Sequence, residues 1–175
     1  MPLSPATARD IEVVSAQLGR QARDIVAIAA RCACGNPTVV QTAPRLGDGT
    51  PFPTTYYLTH PGATAALSTL EASGYMAELQ QRLADEPELA AAYQKAHEAY
   101  LADRDELEKS TGEVPEIVGI SAGGMPVRVK CLHALAGHSL AAGRGVNPIG
   151  DLALDACSWS PTRCVCADPG SSATK

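Results

Sequence analysis

Four residues of the types that hold transition metals, Cys32, Cys34, His60 and Cys131, fall in stretches whose patterns can turn side chains toward one point. Cys32 and Cys34 belong to CACG followed by Asn36 and Pro37, a turn in which glycine relieves backbone crowding and both sulfurs face one way. Zinc half-sites usually place about two to four residues between ligands, so the single Ala33 weakens the signal. Two small half-buried thiols explain CACG equally well. The second stretch, SAGGMPVRVKCLHALAGHSLAAGRGVNPIGD (residues 121–151), reads as a glycine-rich loop, a helix from Pro126 to Gly143, and a polar turn. On that helix Cys131 and His138 share an apolar face with Val127, Ala134, Leu135 and Ala142, separated by a rise of about 10 Å. His133 points elsewhere, toward the face of Lys130 and Gly137.

The expected metal centre therefore takes Cys32, Cys34, His60 and Cys131, with His138 in reserve, and zinc is the favoured ion. With four ligands the site is closed and structural. With three, an open position would activate water, and His138 or His133 would carry the proton, making the protein a hydrolase. An iron–sulfur cluster is less favoured, because three cysteines in the patterned body fall one short of the usual thiolate set. A core histidine is the commoner role for His138, and His97 reads as a surface residue.

A second constellation is cationic. Arg45, Arg128 and Lys130 could surround an anion, with backbone N–H groups of SAGG at the helix start. The stretch lacks the GK[ST] ending of a phosphate loop, and Ser121 sits in no GxSxG elbow. The alternative to the metal reading is thus a metal-free module that binds a small anionic ligand or a protein partner through those three side chains.

These residues need elements to position them. Ile11, Val14 and Leu18 recur at helical spacing over residues 7–18, with Gly19 as the cap. Residues 24–31 and TVVQT form a hairpin with its tip at residues 32–37, and TTYYLT (54–59) adds a third strand. His60-Pro61 opens a helix that runs to Gly74, residues 75–84 form another, and residues 87–109 form a long one with a charged outer face. Residues 114–120 are expected as a further short strand. The fold class is α+β: a small antiparallel sheet of about three strands packed against several helices, in one globular domain over residues 1–156. The remainder, 157–175, is polar and rich in Pro, Gly and Ser, and is expected to be a disordered tail that carries Cys157, Cys164 and Cys166 away from the site.

Composition narrows the class further. Fourteen basic against nineteen acidic residues give a formal charge of −5, and no basic run is present, which argues against nucleic acid as a partner. No apolar run approaches the ~20 residues of a membrane span. The first residues, MPLSPATARDIEVV, have no apolar segment of the secretory kind, so a cytoplasmic location is expected. In that compartment six cysteines serve as ligands, reactive thiols or core residues rather than disulfides.

Long motifs carry a resemblance: RCACGNPTVVQTAPRLGDGTPFPTTYYLTHP, then LEASGYM and AYQKAHEAYLADRD, then the whole 121–151 stretch. Through them, over residues 17–154, the chain resembles the bacterial domain-of-unknown-function family 501. The resemblance implies no activity. It implies that cysteine often stands where this chain has His60, an exchange of one metal-ligand type for another.

Overall fold

A computed structural model of the protein describes residues 3–168. A three-stranded antiparallel sheet in the order β1-β2-β3 is formed by β1 (Ile25–Arg31), β2 (Pro37–Thr42) and β3 (Tyr56–Leu58). Six helices surround it: α1 (Ala8–Leu18), α2 (Pro61–Ala72), α3 (Tyr75–Asp85), α4 (Pro87–Thr111), α5 (Leu132–Ala142) and α6 (Pro148–Ala156). The architecture is α+β in a single domain. Among the described residues no helix is long and apolar enough to cross a membrane.

β2 is buried along its whole length because both faces of the sheet are covered. Val39 points into the main core, with Leu67, Tyr93, Tyr100, Leu132, Leu135 and Ile149. Val40 and Ile28 point the other way, against Val14 of α1. α1 starts at a capping box in which the Thr7 hydroxyl and the Asp10 carboxylate satisfy one another's backbone N–H groups. Asp10 also takes a bidentate ion pair from Arg31, at 2.6 and 3.0 Å, and this holds its carboxyl down at about 2. Arg31 extends to the Gly35 carbonyl at 2.9 Å, so the start of α1 is tied to the hairpin tip.

Three stretches depart from the sequence expectation. Residues 114–120 form a single 3-10 turn, Pro115–Ile117, rather than a strand. The cause is Arg104, 2% exposed in α4, whose guanidinium collects the carbonyls of Ile117 and Ile120 and folds the segment back. α5 begins at Leu132, six residues after Pro126, so Arg128, Lys130 and Cys131 are not helical. The amide of Gln80 pairs with the backbone of this loop, donating to Val127 O (3.0 Å) and accepting from Val129 N–H (2.9 Å), while Arg128 N–H and Lys130 N–H close it back onto the carbonyls of Gly124 and Gly123. α6 occupies what reads as a polar turn. Asn147 caps it by accepting from Gly150 N–H at 2.9 Å, and Pro148 takes the first helical position.

The polar segment after α6 is the largest departure. Residues 157–168, expected as disordered tail, run back across the body as a strap. Trp159 is buried at 5% exposure, Ala33 N–H donates to Pro161 O (3.1 Å), and the Asn36 amide donates to Asp168 O (2.7 Å). Residues 169–175 of that expectation lie outside the described residues.

Candidate metal centre

The hairpin tip is shaped by its own backbone. Cys32 N–H donates to Asn36 O and Gly35 N–H to Cys32 O, each at 2.8 Å, with Gly35 at φ 90, a left-handed conformation open to glycine. This turn and the strap bring two Cys-x-Cys pairs together. The sulfurs of Cys32, Cys34, Cys164 and Cys166 all lie within 4.8 Å of one another, and Cys34 Sγ stands 3.6 Å from Cys166 Sγ. A tetrahedral ion with Zn–S bonds of about 2.3 Å spaces its sulfurs about 3.8 Å apart, so the donor set fits one ion of that class. No disulfide links any of the cysteines. Burial raises the Cys32 thiol; burial and the neighbouring Cys34 and Cys164 raise that of Cys166 strongly.

His60 adjoins this group without belonging to it. It is 1% exposed, and its Nδ1 caps α2 by accepting from Gly62 N–H (3.1 Å) and Ala63 N–H (3.3 Å). Nδ1 is thereby an acceptor, so the ring proton sits on Nε2, which points at Cys166 Sγ at 3.3 Å. His60 is thus a hydrogen-bond donor to a cluster sulfur, not one of the converging ligands. Burial lowers its pKa, keeping the ring neutral. On the same side a cavity of about 420 Å³ opens between α1 and the strap, with Arg9, Gln17, Asn36, His60 and Cys166 in its wall.

Cys131, the fourth expected ligand, stands elsewhere. As the residue before α5 it converges with Glu71 and His133, their ligand atoms also within 4.8 Å of one another. The expectation failed because it placed Cys131 in the body of a helix facing the core. Glu71 Oε1 accepts from Leu132 N–H (2.7 Å) and stands 3.1 Å from His133 Nδ1, while Cys131 Sγ is 4.0 Å from the same nitrogen. His133 Nε2 faces the Thr64 carbonyl at 3.0 Å. Burial opposes ionisation of Cys131, yet His133 and the Ala134 backbone N–H outweigh it and lower the thiol's pKa. The same contact with Cys131, with Thr64 and Glu71 behind it, lifts His133 to about 9.

His138 is a core histidine. It is fully buried, stacked on Tyr56 at 5.8 Å and edge-on to Tyr100 at 5.0 Å. Its Nδ1 lies 3.1 Å from the Asn147 amide nitrogen, which donates to it, and Nε2 finds no hydrogen-bond partner among the described residues. Such a ring carries no proton between sites. Burial lowers its pKa to about 4 from 6.5. Because the unfolded chain takes up this proton first, the stabilisation is complete above pH 6.5 and drains away as pH falls toward 4. The expected loss is about 3 kcal/mol. Urea unfolding at a series of pH values should show it, and a His138→Gln variant should show a slope shallower by about one proton.

The cationic site does not assemble. Arg45 is held by Glu116 at 2.7 and 2.8 Å and by the Gly49 carbonyl. Arg128 and Lys130 lie exposed on the loop before α5, where the Arg128 carbonyl accepts from the Tyr93 hydroxyl. Glu116 belongs to the segment gathered by Arg104, eleven residues beyond Tyr93, a separation of about 16 Å along α4. Ser121 has a partner that the sequence did not reveal: His97, half-buried rather than on the surface, places Nδ1 2.8 Å from its Oγ.

A family model described as a protein of unknown function (DUF501) matches residues 28–155, which include Cys32, Cys34, Glu71, Cys131 and His133 and exclude Cys164 and Cys166. No curated protein and no solved structure shows significant similarity.

Proposed function

The chain belongs to the DUF501 family of proteins of unknown function, and from its own geometry we propose that it is a zinc protein whose ion is held by Cys32, Cys34, Cys164 and Cys166. The observation that carries this reading is the convergence of four sulfurs within 4.8 Å from two Cys-x-Cys pairs far apart in sequence. Four thiolates in a tetrahedron select zinc among available divalent ions. An iron–sulfur cluster needs its cysteines farther apart, since several irons and sulfides stand between them. With all four positions taken by protein, the ion's role is structural: it fastens the strap to the hairpin and leaves no place for a hydrolytic water. His60 serves the site from behind, donating its Nε2–H to the Cys166 sulfur and offsetting thiolate charge.

Metal analysis of the purified chain tests the assignment. Cys164→Ser should lose one equivalent of zinc relative to the native chain, and Cys157→Ser should lose none. Equal zinc in the native and Cys164→Ser proteins, or iron in place of zinc, would overturn it.

A further inference from the structure

The group formed by Glu71, Cys131 and His133 is not used by the zinc site proposed above. The two lie toward opposite ends of α2, His60 capping its start and Glu71 standing in its last turn, about 16 Å along the helix axis. The second group is built to hold its donors in place. Glu71 is pinned over the start of α5 by the Leu132 N–H, and Cys131 precedes that helix in an extended conformation (φ −153, ψ 107) that turns its sulfur toward the ring of His133. His133 Nε2 faces the Thr64 carbonyl at 3.0 Å. A carbonyl can only accept, so Nε2 keeps its hydrogen; without an ion Nδ1–H donates to Glu71 Oε1 at 3.1 Å, and an ion bound there would displace that hydrogen and take the Nδ1 lone pair. A histidine that ligates through one nitrogen while giving the other's N–H to a backbone carbonyl is the usual second-sphere arrangement of metal sites.

We propose that Glu71 Oε1, Cys131 Sγ and His133 Nδ1 hold a second divalent ion of the zinc class, with one coordination position left to solvent. Sulfur, imidazole nitrogen and carboxylate oxygen within 4.8 Å of one another form a donor set this class of ion accepts. Three protein ligands and one water is the composition of sites that do chemistry rather than hold structure. Solvent reaches this one, since the side chains of Glu71 and His133 are 24% and 26% exposed. The fourth position takes water or a small monodentate anion, and a bound water there is acidified toward hydroxide.

The proposal stands apart from the four-sulfur site, and one set of measurements separates them. Full-length protein saturated with zinc and passed through a desalting column should retain two equivalents. Cys131→Ala and His133→Gln should each retain one, and Cys164→Ser should lose the other while keeping this one. Alkylation of Cys131 by iodoacetamide, followed by peptide mapping, should be blocked by zinc and restored by chelator in both the native and Cys164→Ser proteins. With cobalt in place of zinc, azide should shift the visible spectrum of the native protein and leave that of Cys131→Ala unchanged. If zinc leaves Cys131 alkylation unaffected and the Cys131→Ala protein holds as much metal as the native chain, the three residues form an ion-pair network without metal and the proposal fails.

Discussion

On the proposed zinc reading, replacing Cys34 with serine is expected to release the ion, free the strap and lower the stability of the protein by about 5 kcal/mol. The magnitude follows from chain entropy. In the proposed site the ion would join Cys34 to Cys166, 132 positions apart, and a cross-link closing a loop of that order stabilises the folded state by about 5 kcal/mol. Domains of this size are stable by only about 5–15 kcal/mol, so the variant should sit near its unfolding threshold at physiological temperature. The chain carries its own reporter. Its single tryptophan, Trp159, is buried in the strap with its ring 5.2 Å from that of His60, so release of the strap should shift its emission to the red. Chelator should produce the same shift in the native protein and nothing further in Cys34→Ser. Limited proteolysis should then cut within residues 157–168. Unchanged emission and melting temperature in the chelator-treated native protein would remove the structural role from the ion.

Gly150→Ala is expected to cost about 4 kcal/mol, at or above the top of the usual range for overpacking. α5 and α6 cross with backbone in contact at this residue. A Cβ placed there would meet Leu135 O at 2.2 Å, Leu135 C at 2.8 Å and Ser139 Cβ at 2.9 Å. The first two are helix backbone, which no rotamer change can move. Relief requires the helices to separate, which pulls on the Ser139–Asp151 hydrogen bond and on the Asn147 contact that serves His138. Gly62, at the start of α2, is less demanding: the atoms nearest its added Cβ, at 3.0–3.2 Å, all belong to side chains. Denaturant unfolding measures the difference. A Gly150→Ala protein within about 1 kcal/mol of native would mean that the crossing opens at little cost.

Much of the fold was legible because local signals and tertiary structure agree. Thr7 with Asp10, Pro61 after His60, Pro87 and the β-branched TVVQT state their elements directly, and CACG sits at the hairpin tip as its composition implies. The site was half legible. Cys32 and Cys34 were placed, but their partners were not, because the strap has no secondary structure of its own. It is held by contacts with Ala33 and Asn36 that periodicity cannot register. The one signal available was the echo of CAC in CVC at residues 164–166. Cys131 misled for the opposite reason. Residues 127, 131, 134, 135 and 138 fit a helical stripe, yet Gln80, some fifty positions earlier, takes up the backbone of residues 127 and 129 and delays the helix. His60 looked like a ligand by type, and its place as the residue before Pro61 already marked it as a cap.

The separation between the two Cys-x-Cys pairs also orders events in time. A chain made at about 5–20 residues per second presents CACG on the order of ten seconds before residue 166 is added. Through that interval the hairpin offers an ion two sulfurs and no closed site. Capture is completed only when the second pair arrives, by which point every element of the sheet and all six helices have been synthesised. On the zinc reading, occupancy is therefore a late event in synthesis, and it marks chains in which the β1–β2 hairpin and the strap have met.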